Sequence, residues 1–243
     1  MFDRTPKLIK HLIIINIIMF LATQAMPVRM EELFAMHFPL NPRFRIWQVI
    51  THIFMHGDAV PGAFNTGSVM HIAFNMYALW AFGSPLYRIW GEKRFLIFYF
   101  VAGLAAVALQ TGVYYYVFTQ GYDQLVAQGF SHQEIYQALN EGVLKYSNMG
   151  HAYATVMVGA SGAIYGLLVA FAFYFPNAEL MLMFIPFPIK AKYFVPLLVL
   201  VDVFFGISNS INLPIAHFAH VGGALAGFIM MKLWSKYKHE RWY

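Results

Sequence analysis

The sequence predicts an all-α membrane protein, a bundle of six transmembrane helices with a long structured first outer loop. Hydrophobic residues make up 60% of the 243 positions and charged residues only 11%, which leaves too little polar surface for a soluble globule of this size. Six apolar stretches approach the roughly 20 residues that a helix needs to cross a bilayer. Lys and Arg are also unevenly distributed among the segments that join these stretches. We therefore expect a single membrane domain over residues 1–243, with the lipid bilayer as its surroundings.

The composition also excludes several kinds of function. No cysteine is present, which rules out disulfides and thiolate chemistry. The net charge of +5 requires no nucleic-acid partner if the positive residues lie on one side of a bilayer. We expect no nucleic acid, no metal and no cofactor.

The first apolar stretch, 11–26, follows Arg4, Lys7 and Lys10. It resembles both a signal peptide, with Ala25 as a possible cleavage site, and a first spanning helix. We favour an uncleaved helix, because its removal would leave an odd number of spans and put the basic C-terminus on the wrong side.

The forty or so residues that follow predict the first outer loop. Residues 30–37 are helix-like, whereas Pro39, Pro42 and Pro61 break the remainder. We expect this structured loop to lie in or near the membrane interface.

Five further spans follow the loop. They lie at about 69–87, 95–116, 154–175, 191–208 and 214–234. A polar insertion at about 117–152 separates the third helix from the fourth. Its apolar residues Leu125, Ile135, Leu139 and Val143 predict short amphipathic helices on the membrane surface.

The positive residues predict the orientation of the chain. With the N-terminus inside, twelve Lys and Arg lie in inner segments and four in outer loops. This is the bias of the positive-inside rule. We expect a multi-pass protein of a bacterial inner membrane with both termini in the cytoplasm.

In this orientation three potentially catalytic side chains share one depth. The even-numbered helices begin at the outer face, so His71, Ser161 and His220 all lie within the first turns of their helices. Polar groups in a membrane helix are costly unless they face the bundle interior or a water-filled cavity. The three residues therefore form a candidate functional site.

Ser161 lies in the run Gly159-Ala160-Ser161-Gly162, at the start of the apolar stretch 163–175. Its hydroxyl is open to a substrate because no neighbouring side chain covers it. The run differs from the G-x-S-x-G motif of soluble hydrolases, since position 163 is Ala. Small residues in a membrane helix also serve close packing, and the motif alone leaves both interpretations open.

Glycines near His220 indicate a close approach of two helices. Gly223 and Gly227 follow His220 at i+3 and i+7 and lie near its face. Opposite Gly162 and Gly166 of the fourth helix, they would let the backbones approach closely enough for a hydrogen bond between Ser161 and His220. Glycine-mediated packing around a satisfied histidine is the alternative.

His71 and Asn75 are four residues apart and share a helix face. An imidazole and a carboxamide can both donate hydrogen bonds to a developing oxyanion. The structural alternative is that Asn75 bonds a neighbouring helix.

Three short motifs occur in order on the second, fourth and sixth predicted helices. They are His71-Ile72-Ala73-Phe74-Asn75, Gly159-Ala160-Ser161-Gly162 with Tyr165, and Ala219-His220 followed by Gly223 and Gly227. Together they make the chain resemble a rhomboid intramembrane serine protease over roughly residues 10–235.

The resemblance implies a Ser-His dyad with Ser161 as nucleophile and His220 as general base. It also implies that His71, Asn75 and the Ser161 backbone amide line the oxyanion hole, and that Tyr165 packs against the imidazole. The implied activity is cleavage of transmembrane segments of membrane-protein substrates near the outer face.

The chain departs from the family pattern at two positions. The first outer loop commonly carries a Trp-Arg pair, whereas Trp47 is here followed by Gln48. The Glu often found after the second helix appears as Tyr87. These departures concern the anchoring of the loop and stability rather than the chemistry.

Other histidines offer a competing interpretation. His52 and His56 are four apart and, with His217 and His220, could suggest a metal site. No H-E-x-x-H motif is present, so we interpret them as surface or interfacial histidines. Helical geometry does not choose between His217 and His220 as the base; the resemblance selects His220 and leaves His217 as a solvated or substrate-gate residue.

Asp202 is the one carboxylate at appreciable membrane depth. It could orient His220 as a third member of a triad, or line a proton path in a transporter. Because the resemblance favours a dyad, we interpret Asp202 as a structural hydrogen-bonding residue. A proteolytically inactive rhomboid-like protein that binds membrane clients, or a proton-coupled transporter, are the alternative functions.

Overall fold

The computed structural model describes residues 5–57, 66–181, 187–208 and 216–239, with the backbone alone for 235–239. About 77% of the described residues are helical, in agreement with the predicted all-α class. The helices are α1 (Lys7–Ala25), α2 (Pro27–Phe34), α3 (Gln48–Thr51), α4 (Thr66–Ala127), α5 (His132–Asn140), α6 (Asn148–Ala154), α7 (Ser161–Tyr174), α8 (Ala191–Ile207) and α9 (His217–His239). A 3-10 turn (His52–Phe54) follows α3, and two short antiparallel strands, β1 (Glu179–Leu180) and β2 (Ile189–Lys190), precede α8.

Two of the helices within the described ranges, α1 and α4, are long and apolar enough to cross a membrane. The 62-residue α4 is two helices in one, because Gly91 has non-helical backbone angles (φ 73°, ψ 178°). A positive φ is readily adopted only by glycine. The parts 66–90 and 92–127 contain the predicted second and third spans.

The helix predicted as the third span is longer than expected. Helix α4 continues to Ala127, eleven residues beyond the predicted end at 116, into the segment assigned to the polar insertion. The extra turns carry Phe118, which is buried against Ile135 and Leu139 of α5. Burial of this aromatic face stabilises turns that their polar residues alone would leave marginal.

The insertion forms a short helix that packs against α4, and its location on the membrane surface stays a prediction. Helix α5 begins with a capping box formed by Ser131 and Glu134, and its buried Ile135 and Leu139 contact α4. Of the four predicted apolar positions only Val143 is exposed.

The helix predicted as the fourth span begins seven residues later than expected. Residues 155–160 are extended or irregular, and α7 starts at Ser161. The backbone of Met157 instead pairs with Met36 of the outer loop through two hydrogen bonds of 3.0 and 2.9 Å. The predicted helical residues before Ser161 are therefore part of a loop-to-loop contact.

Gln48 connects different parts of the outer loop through side-chain hydrogen bonds to the backbone. The side chain is fully buried, and its amide nitrogen donates to the carbonyls of Glu32 and Arg43, at 2.9 and 3.1 Å. Its amide oxygen accepts from the backbone N–H groups of His37 and Arg45, at 3.4 and 2.9 Å. A neutral amide therefore anchors the loop at the position where the family pattern has an arginine.

The prediction that Pro61 interrupts helical structure in the outer loop concerns a residue outside the described ranges.

His52 and His56, interpreted above as surface or interfacial histidines, do not lie on the protein surface. Both side chains are buried in the outer loop, and the ring of His56 lies 5.2 Å from that of His71. Burial lowers the pKa of His52 to about 4. Burial, together with the nearby His71, lowers the pKa of His56 to about 3. Both imidazoles are neutral in the folded protein near pH 7.

We predict that acid destabilises the protein through these two histidines. In the unfolded chain they take up protons below about pH 6.5, while in the folded chain they stay neutral down to about pH 4 and pH 3. The unfolded state then binds more protons, so stability falls as the pH decreases through this window, by up to about 1.4 kcal/mol per pH unit for each histidine. Unfolding in detergent measured from pH 7 to pH 4 should show this slope.

The His56→Gln substitution should flatten the slope, because glutamine cannot be protonated in this range. The exposed His132 provides the matched control, and the His132→Gln variant should keep the slope of the parent protein. An unchanged slope in the His56→Gln variant would contradict the assignment of this residue as a buried neutral histidine.

Candidate active site

Gly159 shapes the chain immediately before Ser161. Its φ of 117° is accessible to glycine and strained for other residues, and its N–H donates to the His52 carbonyl at 2.9 Å. A side chain at this position would also begin only 3.1 Å from His71 Nε2 and 3.8 Å from Ser161 Oγ. Gly159 therefore lets the His71 ring lie next to the start of α7.

Helices α7 and α9 touch through their backbones. A Cβ atom on Gly223 would overlap the Gly162 carbonyl, and one on Gly227 would lie 2.8 Å from the Cα of Gly166. A Cβ atom on Gly166 would in turn lie 2.6 Å from the Cβ of Ala102 in α4. The glycines of both helices are thus required for this interhelical distance.

This close contact brings Ser161 and His220 together. Ser161 is the first residue of α7, and its Oγ lies 2.9 Å from His220 Nε2 in the first turn of α9. The ring of Tyr165 stacks on the imidazole, with centroids 4.2 Å apart and planes inclined by 8°. The structure therefore brings together a serine and a histidine that are 59 positions apart in sequence, with a tyrosine stacked on the histidine.

Asp202 and His217 join the same cluster. Asp202 Oδ1 lies 3.1 Å from His220 Nδ1 and 2.7 Å from His217 Nδ1, and its Oδ2 accepts a hydrogen bond from the Tyr165 hydroxyl at 2.5 Å. The side chain of His217 is only 10% exposed and stacks on Phe205. The expectation of a solvated His217 is therefore wrong, because the side chain is held inside the bundle beside the carboxylate; the alternative of a substrate-gate residue stays a prediction.

His71 and Asn75 occupy one face of α4 beside the start of α7. The Asn75 amide donates to the His71 carbonyl at 2.8 Å, so it bonds its own helix rather than a neighbouring one. An amide nitrogen carries two hydrogens, and the second is the one that an oxyanion could use.

A family model described as Rhomboid domain matches residues 43–237. The match includes every residue of this cluster. The chain belongs to the rhomboid family.

Two curated rhomboid proteins are similar to parts of this rhomboid chain. Rhomboid protein 1, mitochondrial, of Saccharomyces cerevisiae is 26% identical over 129 residues, which cover 53% of this chain and 28% of the relative. An uncharacterized mitochondrial rhomboid protein of Schizosaccharomyces pombe is 33% identical over 91 residues, covering 35% and 23%. The chain thus spans about a quarter of the length of these relatives.

The rhomboid cluster includes one further polar residue that the sequence analysis missed. Gln110 is buried in α4, and its Oε1 accepts a hydrogen bond of 3.1 Å from the backbone N–H of Ala219. The first N–H groups of a helix lack partners within the helix, so Gln110 fixes the first turn of α9 next to His220. The sequence feature that could have indicated Gln110 is its position as the single amide side chain within the apolar stretch 95–116.

Two observations bear on water and metals. A cavity of about 30 Å³ borders Ser161 and is lined by residues of the outer loop, α4 and α9, among them His52, Gly103 and Ala219. This volume is enough for a water molecule. Within the described ranges, no group of three or more His, Cys, Asp or Glu side chains could hold a metal ion.

We predict that the Gly223→Ala substitution destabilises the rhomboid fold. The new methyl group would overlap the Gly162 carbonyl, so α7 and α9 must separate, at a cost of about 1–3 kcal/mol or more. Unfolding in detergent measures the loss.

The matched control is the Gly112→Ala substitution in α4, where a Cβ meets no atom within 4 Å. Alanine is the better helix former by up to about 1 kcal/mol, so this variant should be as stable as the parent or more stable. Equal stability of the Gly223→Ala variant and its parent would contradict backbone contact between the two helices.

Proposed function

We propose that this protein is an intramembrane serine endopeptidase that cleaves transmembrane segments of other membrane proteins near the outer face. The observation that carries the proposal is the 2.9 Å contact between Ser161 Oγ and His220 Nε2, in a chain whose rhomboid domain covers 43–237. A serine within hydrogen-bond reach of a histidine is the arrangement of an activated nucleophile.

In this proposal the chain crosses the membrane six times. The crossings are α1, the two parts of α4 on either side of Gly91, α7, α8 and α9. The positive-inside bias supports an orientation with both termini on the inner side. The bacterial inner membrane stays a prediction, since both relatives are named as mitochondrial proteins.

The length of α7 supports a reactive site below the membrane surface. Its 14 residues span about 21 Å at 1.5 Å per residue, whereas the hydrocarbon core is about 30 Å thick. With Tyr174 at the inner boundary, Ser161 lies roughly 9 Å below the outer one. A substrate helix must unwind at this depth before its peptide bond can be attacked, because helical backbone groups are already hydrogen-bonded.

The chemistry begins with proton transfer from Ser161 Oγ to His220 Nε2, while the serine oxygen attacks the substrate carbonyl. The Ser161 backbone N–H, at the free N-terminus of α7, and the side chains of His71 and Asn75 would stabilise the oxyanion. His220 then donates its proton to the leaving amine. A water molecule hydrolyses the acyl-enzyme, and the cavity beside Ser161 offers room for one.

The two alternatives find less support. A transporter would use Asp202 as a mobile proton site, but both of its carboxylate oxygens are engaged by Tyr165, His217 and His220. An inactive client-binding protein would not need the Ser161–His220 contact.

We predict that a fluorophosphonate, which reports an activated serine, labels the purified protein at Ser161, and that the protein cleaves a generic single-span substrate. Both activities should be lost in the Ser161→Ala and His220→Ala variants. The His217→Ala variant should keep labelling within about 10-fold of the parent, because His217 contacts Asp202 and not the serine.

The reverse pattern in folded variants, in which loss of His217 abolishes labelling and loss of His220 does not, would show that His217 and not His220 is the general base. Absence of labelling and cleavage in the parent protein would overturn the proposed function.

We predict a separate effect for the oxyanion residues. The His71→Ala and Asn75→Ala variants should lower kcat by roughly 10- to 1,000-fold with little change in KM, because they would act on the transition state. The exposed Phe74 on the same helix serves as control, and the Phe74→Ala variant should keep its kcat. A loss confined to KM would instead make His71 and Asn75 docking residues.

A further inference from the structure

Three residues on three different helices form one chain of hydrogen bonds. Ser161 Oγ on α7 lies 2.9 Å from His220 Nε2 on α9, and His220 Nδ1 lies 3.1 Å from Asp202 Oδ1 on α8. This is the order in which a Ser-His-Asp triad is connected. We propose that Asp202 is a positioning residue of the reaction, acting through His220, so that the site is a triad rather than a dyad. The inference rests on the proposed function.

The carboxylate determines which nitrogen of His220 carries the proton. A neutral imidazole has one N–H and one lone pair, and an ionised carboxylate can only accept hydrogen bonds. The proton of His220 therefore lies on Nδ1, towards Asp202. The lone pair of Nε2 then faces Ser161, which is the tautomer that a general base requires. Without an acceptor at Nδ1, the imidazole could adopt the unproductive tautomer.

The carboxylate also stabilises the charge that the reaction creates. When the serine proton moves to Nε2, the electron pair of Oγ forms the new bond to the substrate carbon and His220 becomes an imidazolium. Asp202 remains ionised and takes no proton. Its side chain is 7% exposed, and in such a poorly solvated site a neighbouring negative charge favours the imidazolium more strongly than it would in water.

Two further donors hold the carboxylate in place. Tyr165, whose ring stacks on His220, donates its hydroxyl to Oδ2, and His217 contacts the same oxygen, Oδ1, as His220 does. A buried carboxylate is costly unless it is hydrogen-bonded or paired, and these contacts meet that requirement. They also fix the orientation of the carboxylate relative to His220.

A purely structural role for Asp202 predicts a different outcome. The buried residues of α8 are only Ala191, Phe194, Val195 and Asp202, so the hydrogen bonds of Asp202 also fasten this helix to α7 and α9. Loss of that fastening would impair substrate binding and stability together. Loss of the positioning role would impair the chemical step.

The decisive experiment compares Asp202→Asn with Val195→Ala in the full-length protein. The first substitution keeps the size of the side chain and removes its charge, whereas the second shortens a buried side chain of the same helix that is outside the hydrogen-bonded cluster. We expect Asp202→Asn to lower kcat and the rate of fluorophosphonate labelling by about 100-fold or more with little change in KM. Val195→Ala should keep kcat and the labelling rate within about 3-fold of the parent, even if its unfolding temperature falls as far as that of Asp202→Asn.

The outcomes separate this inference from the proposed function. If the parent protein is labelled at Ser161 and the folded Asp202→Asn variant is labelled within about 3-fold of it, the triad is overturned while the serine and histidine assignments stand. Equal losses in both α8 variants would make Asp202 a structural residue. A parent protein without labelling would overturn the proposed function and the triad with it.

A measurement on the unaltered protein keeps the inference testable if the Asp202→Asn variant does not fold. Nitrogen-15 NMR of labelled histidines distinguishes the two tautomers, and the His220 signal is assigned by its loss in the His220→Gln variant. We expect the neutral His220 ring to be protonated at Nδ1. Protonation at Nε2 would overturn the role of Asp202.

Discussion

The backbone contact between α7 and α9 is the constraint on which the candidate site depends. Where Gly223 meets Gly162 and Gly227 meets Gly166, no side chain separates the two helices. This distance is shorter than ordinary side-chain packing allows, and it brings a serine and a histidine with short reach into hydrogen-bond contact. The stacked ring of Tyr165 and the carboxylate of Asp202 then fix the imidazole in orientation.

Polar residues outside the serine–histidine pair maintain this geometry. Gln110 accepts a hydrogen bond from the Ala219 N–H in the first turn of α9, and Gln48 holds together the loop whose 3-10 turn accepts the Gly159 N–H. Each of these amides is buried and hydrogen-bonded, as a polar group in an apolar interior must be. The cluster is therefore supported both from within the bundle and from the outer loop.

Much of this arrangement could be predicted from local sequence patterns. The family assignment is confirmed, and it followed from short motifs at Asn75, Ser161 and His220 whose order along the chain is distinctive. The start of α7 could not be predicted, because residues 155–158 are as apolar as the helix that follows. Contacts with a distant segment keep them out of the helix: Met157 pairs with Met36, and the Gly159 N–H binds the His52 carbonyl. The length of α4 depended in the same way on a distant cluster around Phe118.

The position of Asp202 shows a different limit. Helical periodicity gives the face of a residue on its own helix, whereas the rotation and depth of α8 relative to α9 depend on packing between segments far apart in the chain. Whether this carboxylate faced lipid, His217 or His220 was therefore beyond the reach of sequence periodicity.

Because α7 begins at Ser161, residues 156–160 are not helical, and in the proposed topology they lie in the outer part of the membrane domain. If these residues were exposed to hydrocarbon, each unpaired backbone N–H or C=O group would cost several kcal/mol of free energy. The outer loop prevents this, since Met36 pairs with Met157 and the His52 carbonyl binds the Gly159 N–H. In the proposed topology the loop thus provides hydrogen-bonding partners on one side of Ser161, and a non-helical segment becomes tolerable at a depth where lipid alone would exclude it.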